Sequence, residues 1–426
     1  MHLGTGVLIT TGKLPMIVTS RAVVLTPICD ISVIIGKRNV SAYILYHGHL
    51  VILTVDPHML PPAFPVPNIS PKSPKIGDAV EIYGLNVEQQ PVQRRTEISM
   101  ISPLVSVPES TAPLWKIRNT EAYNVADTPD TVGGVLVDPA DASIIALWIE
   151  VKHAKGAYYA GLDYKFYVAP IVEAFREQTD VPSFSPGCTF SHFHLAKALD
   201  LGMPEHYATR INAIAKTLGT APQAVYVEEK TRQSATDLEV GDFILESDGE
   251  PVARMADIRE FFQAAATPAL VLRGGEEKQV IVHSERTPYT GFQKIVCWAG
   301  RILQQTPPFA LEQTTADFAA AAAKEGVKSL EEMVYISSRF DGSPWDRVST
   351  AIGWILEIDG KKVTSLDVLL EIVRSLKGRD EKEYIRVKFM GKSGALSIVG
   401  IRLNPRFWPT WVLEWKGDEW VRTELD

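Results

Sequence analysis

The chain has 426 residues, of which 46% are apolar and 22% are charged, as in ordinary soluble globular proteins. Domains usually hold about 100–200 residues, so two to four domains are expected. The chain has 43 Lys and Arg residues against 51 Asp and Glu residues, a net charge of −8. This composition excludes a wholly disordered chain and argues against nucleic acid or an anionic membrane as the main partner.

The cysteines and the apolar runs limit the compartment. Cys29, Cys188 and Cys297 are far apart in the sequence and form no disulfide framework and no CxxC pair. A reducing compartment and no cofactor are therefore expected. No apolar run approaches the roughly 18–20 residues that span a bilayer. The N-terminus lacks the form of a signal peptide, so the sequence predicts a protein that is neither secreted nor inserted in a membrane.

The first 165 residues predict β structure, because short β-branched segments are separated by Gly and Pro. Many short strands of this kind are typical of a sandwich or a barrel. A short helix is expected at Ala169–Gln178, with Pro170 in its first turn. The predicted strands are 6–10, 16–19, 31–35, 43–46, 50–55, 79–83 and 144–150.

Beyond a linker rich in Ser and Pro at residues 179–187, two stretches follow the same plan, at about 187–285 and 293–405. Each contains a tight turn, a strand and an Asp-Gly hairpin signal, at residues 238–252 in the first copy and 351–363 in the second. Each then continues with a helix and two closing strands. The sequence thus predicts a β-rich domain followed by two repeats.

The string Leu238-Glu-Val-Gly-Asp-Phe-Ile-Leu245, followed by Asp-Gly and Val252, resembles PDZ domains of the HtrA type. The second copy has Gly353-Trp354 where that pattern has Gly-Asp. The resemblance implies binding of extended peptides or protein C-termini along an exposed strand beside a helix. The corresponding segment of the first copy is Gly187-Cys-Thr-Phe190. In the second copy the candidate peptide-binding residues are Trp298, Ala299, Gly300, Arg301, Ile302 and Leu303, although Gly300 could instead only form a turn.

Three strings in the N-terminal region resemble those around the triad of an HtrA-type, trypsin-like protease domain. They begin at Thr19, His49 and Asp130. The resemblance implies that Ala22 stands at the His position, His49 at the Asp position and Val132 at the Ser position. A serine protease needs an attacking oxygen, a base and an orienting carboxylate. Since all three groups are absent here, this domain is expected to be inactive.

Two other groups of residues could form sites, but a structural role is preferred for each. Ser20 and His49 could form a second nucleophile–base pair, but a buried strand serine is the preferred interpretation. His192 and His194 with Cys188 could bind a metal ion, but a zinc site needs three or four ligands and no further ligand is nearby, so no metal site is expected.

Four tryptophans lie near the C-terminus. They could mark a protein interface, but the preferred interpretation is an extension that packs on the last repeat. They are Trp408, Trp411, Trp415 and Trp420.

The whole plan resembles the C-terminal half of the duplicated HtrA-like family of fungal nuclear, pro-apoptotic serine proteases. It implies a mainly β fold with α+β modules: a trypsin-like pair of six-stranded barrels at 1–178 and PDZ-like domains at 187–290 and 293–426. The predicted function is that of a catalytically inactive protease-like chain with peptide-binding or scaffolding modules. It would act with an active protease half and could form a homo-oligomer.

Two alternatives remain open. The chain could belong to an active serine endopeptidase whose catalytic half is missing, or it could be a purely structural oligomerisation unit. The resemblance implies a nuclear location; otherwise a cytoplasmic one is expected.

Overall fold

The computed structural model describes residues 3–10, 13–25, 29–61, 66–104, 118–153, 156–231, 234–287, 293–307, 310–311, 314–315, 317–346, 353–379, 383–416 and 420–425. The chain divides into two compact units. The described residues up to 287 belong to the first unit, and those from 293 onward belong to the second. The described parts of the predicted domains 1–178 and 187–290 lie in one unit, and those of the predicted domain 293–426 lie in the other. Their independence as domains stays a prediction. Within the described residues, no helix is long and apolar enough to cross a membrane.

The N-terminal sheet has five antiparallel strands in the order β1-β2-β5-β4-β3. Its central strands β2 and β5 are almost entirely buried, as expected for β-branched runs that pack on both faces. Within the described residues this sheet is open, whereas a closed six-stranded barrel was expected. The strands are β1 (Gly6–Thr10), β2 (Met16–Ser20), β3 (Ile31–Ile35), β4 (Arg38–His47) and β5 (Leu50–Val55).

The next six strands close into a barrel in the order β10-β11-β8-β7-β6-β9. A core that includes Trp148 and Tyr123 fills it. This barrel confirms the predicted mainly β class. Helices α1 (Tyr164–Tyr167) and α2 (Ala169–Glu177) follow it, and α2 confirms the predicted helix. The strands are β6 (Ala79–Leu85), β7 (Pro91–Pro103), β8 (Glu121–Val125), β9 (Gly134–Val137), β10 (Ile144–His153) and β11 (Gly156–Asp163).

The first repeat is one antiparallel sheet in the order β13-β14-β15-β17-β18, with β16 paired to β15. Two α-helices and a 3-10 helix, Met255–Phe262, complete it. A separate two-stranded sheet pairs the incoming strand β12 (Phe184–Ser185) with β19 (Glu285–Arg286). The remaining elements are β13 (Cys188–His194), α3 (Leu195–Asp200), α4 (Glu205–Leu218), β14 (Gln223–Lys230), β15 (Phe243–Ser247), β16 (Glu250–Pro251), β17 (Ala266–Arg273) and β18 (Glu276–His283).

The second repeat follows the same order but has a longer sheet, β26-β25-β23-β22-β21-β20-β27-β28, with β24 paired to β23. The predicted C-terminal extension is the β27–β28 hairpin, which joins this sheet through β20. The elements are β20 (Lys294–Trp298), β21 (Arg301–Gln305), α5 (Phe318–Lys324), β22 (Val334–Arg339), β23 (Gly353–Ile358), β24 (Lys361–Lys362), α6 (Leu366–Ser375), β25 (Tyr384–Gly391), β26 (Leu396–Arg402), β27 (Trp411–Trp415) and β28 (Trp420–Glu424).

Candidate functional site

Ala22 lies in a turn directly after β2. Its backbone N–H donates to the Ser20 hydroxyl at 3.0 Å, and the N–H of Val23 donates to the Ser20 carbonyl at 3.1 Å. The hydroxyl of Ser20 therefore caps this turn, which suits a polar side chain buried at a strand end. Arg21 donates from Nη1 to the carbonyl of Gly48 at 2.9 Å. This bond ties the turn that carries Ala22 to the loop that carries His49.

His49 is held by two groups of the packed interior. Its Nε2 lies 3.1 Å from the carbonyl oxygen of Tyr167, and its Nδ1 lies 3.5 Å from the hydroxyl of Tyr46. Since a carbonyl only accepts, Nε2 carries the proton in this pair. Burial lowers the pKa of His49 below its usual value, so the ring is neutral at pH 7. Ser20 and His49 thus have separate partners and do not form a nucleophile–base pair.

Val132, the predicted nucleophile position, lies in the loop before β9. Its N–H donates to the carbonyl of Leu85 at 2.7 Å, and its own carbonyl accepts from the N–H of Thr5 at 3.1 Å. An oxyanion hole needs backbone N–H groups that point at the developing charge. The N–H of Val132 is bound within the protein instead. Asp130, two residues earlier, is exposed and has no positive φ.

The two residues after Val132 have backbone conformations that favour glycine. Gly133 and Gly134 have φ of +102° and +154°. A Cβ on Gly134 would lie 2.0 Å from the carbonyl oxygen of Tyr83 on the paired strand β6. Only glycine allows so close a backbone approach. Gly134 is therefore required by the packing of β9 on β6, whether or not the loop is catalytic.

The described residues of the possible metal site do not form one, and His194 has another role. The Nδ1 of His194 accepts from the N–H of Ala196 at 3.3 Å and so caps α3. Burial lowers the pKa of His192 to about 4 and raises the pKa of the Cys188 thiol to about 11. In the described parts of the chain, no group of three or more His, Cys, Asp and Glu side chains is placed to hold a metal ion.

The six candidate peptide-binding residues of the second repeat form a β-hairpin. Ala299 and Gly300 make its two-residue turn, with φ of +50° and +81°, as the favoured hairpin turn requires. Trp298 pairs with Arg301, and Cys297 pairs with Ile302. Within the described residues β21 is therefore paired on both sides, with β20 on one edge and β22 on the other.

Strand addition needs a free edge beside a helix, and β20 takes the edge of β21 next to α6. Lys294, at the start of β20, donates to Asp367 in the first turn of α6 at 2.8 Å. Val296 and Trp298 of β20 are fully buried in the core that also holds the apolar face of α6. A ligand at 298–303 would have to replace β20. Peptide binding by these six residues stays a prediction.

In the first repeat the equivalent strand, β13, has no second partner strand among the described residues. Gly187 precedes it with φ of +65°. The ring of Phe190 contacts Phe261 and Phe262 of the 3-10 helix, with ring centroids 5.8 Å and 6.3 Å apart. We call the outer edge of β13 and the 3-10 helix Met255–Phe262 together the β13 groove. It has the strand beside a helix that strand addition requires.

An ion pair beside this groove was not expected from the sequence. Arg254 directly precedes the 3-10 helix, and its Nε and Nη2 lie 2.7 Å and 2.5 Å from Oε2 of Glu121. The two side chains are only 11% and 5% exposed. Glu121 is the first residue of β8, far from Arg254 in the sequence. No local pattern indicates such a pair, apart from a glutamate that begins a short buried strand.

No protein-family model matches the chain. Curated relatives match most of it. Pro-apoptotic serine protease NMA111 of Yarrowia lipolytica is 19% identical over 418 residues, 95% of this chain. A PDZ domain-containing protein of Schizosaccharomyces pombe is 25% identical over 413 residues, 92% of this chain. The chain spans 41% and 39% of these two proteins, about two fifths of their length.

Solved structures of HtrA-type proteases also match. AlgW with a tripeptide has a TM-score of 0.45 at 16% identity, covering 67% of this chain and 90% of that chain. AlgW with a decapeptide has a TM-score of 0.43 at 17% identity, covering 67% and 83%. Scores at this level support no inference about the activity of this chain. Its similarity to proteins named serine proteases and PDZ proteins rests on the sequence relatives.

Proposed function

We propose that this chain is a protease-like scaffold without serine protease activity, whose repeats recognise extended peptides. The observation that carries the proposal is the hydrogen bond from the N–H of Val132 to the carbonyl of Leu85. Two defects act together: the triad groups are absent at Ala22, His49 and Val132, and the backbone group that should stabilise an oxyanion is already bonded. A chain that lacks both the triad groups and a free oxyanion donor keeps little transition-state stabilisation.

Peptide recognition is proposed for the β13 groove first. It offers a strand edge with no second strand among the described residues, and a helix beside it. In the second repeat β20 occupies the equivalent edge. The ligands we propose are extended peptides or protein C-termini, as implied by the similarity to proteins named for PDZ domains.

The relatives named serine proteases are more than twice as long as this chain. This favours a role beside a catalytic half, in the same protein or in a partner. An endopeptidase assembled with such a half is the second candidate function. A nuclear location remains part of the proposal.

Fluorophosphonate labelling and casein cleavage by the purified chain test the catalytic part. We expect neither, because no serine is placed at the nucleophile position. Labelling that survives stringent purification would overturn this part. For recognition, the whole chain is screened against a library of decapeptides with free C-termini. Failure to find any ligand would favour a purely structural oligomerisation unit, the remaining alternative.

A further inference from the structure

We propose that the β13 groove is a docking surface for an extended acidic peptide, and that Asn119 and Glu121 of this chain occupy it until such a peptide replaces them. This inference rests on the proposed peptide recognition. Asn119 precedes β8 of the barrel, and Glu121 is the first residue of β8. Both residues lie in the same compact unit as the first repeat.

Asn119 takes the place of a ligand backbone on β13. Its Nδ2 donates to the carbonyl of Cys188 at 2.9 Å, and its Oδ1 accepts from the N–H of Phe190 at 2.8 Å. A carbonyl at one position and an N–H two positions later are the pair that an added strand would bond on an edge. One side-chain amide thus satisfies both groups, directly after the positive-φ Gly187.

Asn119 is held in this position by its own backbone. Its φ is +51°, a left-handed conformation that asparagine tolerates better than most residues. The neighbouring Thr120 carbonyl accepts from the N–H of Leu104 at 2.7 Å, and the N–H of Glu121 donates to the Tyr167 hydroxyl at 2.9 Å. The segment is therefore fixed by Leu104 and by Tyr167 of α1 where it reaches β13.

Glu121 makes the second contact. Its carboxylate pairs with Arg254, which precedes the helix of the groove, and both side chains are largely buried. The Arg254 guanidinium also lies over the ring of Phe166, 5.5 Å from its centroid. Leaving a buried guanidinium without its carboxylate is strongly unfavourable.

The charge of Arg254 decides the chemistry of the ligand. A peptide that displaces Glu121 removes the carboxylate that contacts the Arg254 guanidinium directly, and an acidic side chain of the peptide restores that ion pair. Asp163 and Asp257 also act on the charge of Arg254, but the direct ion pair described here is with Glu121. Beyond the two groups bonded to Asn119, strand alternation turns the backbone of His192 to the same outer edge of β13. An extended segment with an acidic side chain can therefore bond the edge and neutralise Arg254 together.

The test uses the whole chain and two synthetic peptides. The acidic peptide, named for the Glu121 carboxylate that it carries, has the sequence of residues 118–125. The Gln peptide has the same sequence with Gln at the position of Glu121. The chain is compared with its Asn119→Gly and Asn119→Gly/Glu121→Gln variants by isothermal titration. Glycine suits the φ of +51° and removes only the amide, so the backbone is kept. Asn86→Gly is the control, because the Asn86 side chain caps a turn between β6 and β7.

We expect Asn119→Gly to bind the acidic peptide about tenfold more tightly than the parent chain, since two backbone groups become available. The double variant should bind it more tightly still. The Gln peptide should bind the double variant at least about tenfold more weakly than the acidic peptide. Asn86→Gly should bind like the parent chain.

Equal affinity of the acidic peptide for the parent and both variants would show that Asn119 and Glu121 do not cover the groove. Equal affinity of the two peptides for the double variant would remove the acidic ligand class. A decapeptide screen on Asn119→Gly separates the remaining outcomes. Ligands without acidic residues would overturn this inference alone, whereas no ligand at all would overturn the proposed peptide recognition as well. Circular dichroism of each variant is the control for correct folding.

Discussion

His49 stands at a predicted triad position and His47 is close to it in the sequence, and both side chains are hydrogen-bonded to backbone carbonyls of the fold. The Nε2 of His47 lies 2.8 Å from the carbonyl oxygen of Val24, and the side chain is 2% exposed. Burial, and then the charge of Arg21, lower the pKa of His47 to about 3. A histidine with this pKa is neutral at pH 7, and its Nε2–H is used within the fold.

This burial predicts a loss of stability in acid. The folded pKa of His47 lies below the ordinary value of about 6.5, so the unfolded chain binds a proton first as the pH falls. The stability that His47 contributes is complete above about pH 6.5 and is lost as the pH falls toward about 3, by up to roughly 1.4 kcal/mol per pH unit. Urea unfolding at about pH 7 and about pH 5 measures it.

His47→Gln should reduce this pH dependence, because glutamine can still donate to Val24 but does not titrate. His58→Gln is the control, since His58 is exposed on the surface. If His47→Gln and the parent chain lose the same stability between the two pH values, the account of His47 is wrong.

At this scale the sequence predicts three triad positions, which stay predictions, but not their surroundings. Ala22, His49 and Val132 are recognisable because the strings around them resemble those of a protease. The bond from Val132 to Leu85 and the contact of Asn119 with β13 join residues far apart in the sequence. Such contacts depend on tertiary packing, which no local spacing encodes.

At the scale of elements, the two repeats differ in what their incoming strand does. In the first repeat β12 has two residues and pairs with β19. In the second, the longer β20 pairs with β27 on one side and with β21 on the other. The sequence predicted the shared plan through its apolar periods and Asp-Gly turns. It did not predict the pairing of β20, because an edge and a central strand can have the same apolar pattern.

The β20–β21 turn provides a stability test. A Cβ on Gly300 would lie 2.2 Å from Cβ of Ser343, and its φ is +81°. Gly300→Ala should therefore lower the free energy of unfolding by about 2–4 kcal/mol, from overpacking and backbone strain together. Urea unfolding followed by tryptophan fluorescence measures the change.

Gly360→Ala is the matched control in the same unit. Gly360 has φ of +79°, but a Cβ there would meet no atom within 4 Å. Its cost should be strain alone, roughly 1–2 kcal/mol. Equal costs at the two positions would mean that the turn does not pack against Ser343 as described.

At the scale of the whole molecule, the predicted triad positions and two strand edges make contacts within the chain. The Val132 loop is bonded to Leu85, β20 occupies the edge of β21, and Asn119 bonds β13. The mainly β class and the order of barrel and repeats were predictable from short strands, turns and motif order. The grouping of barrel and first repeat in one compact unit was not, since it depends on contacts such as Glu121 with Arg254.

The most direct test of this account restores the triad with Ala22→His, His49→Asp and Val132→Ser, and measures acylation by a fluorophosphonate probe. The backbone N–H at position 132 donates to Leu85 whatever side chain it carries, so the oxyanion remains without that donor. We predict that the folded triple variant stays unlabelled, while trypsin treated in parallel is labelled fully. Strong labelling of the triple variant would contradict the claim that the backbone of this loop, and not only its side chains, is unsuited to catalysis.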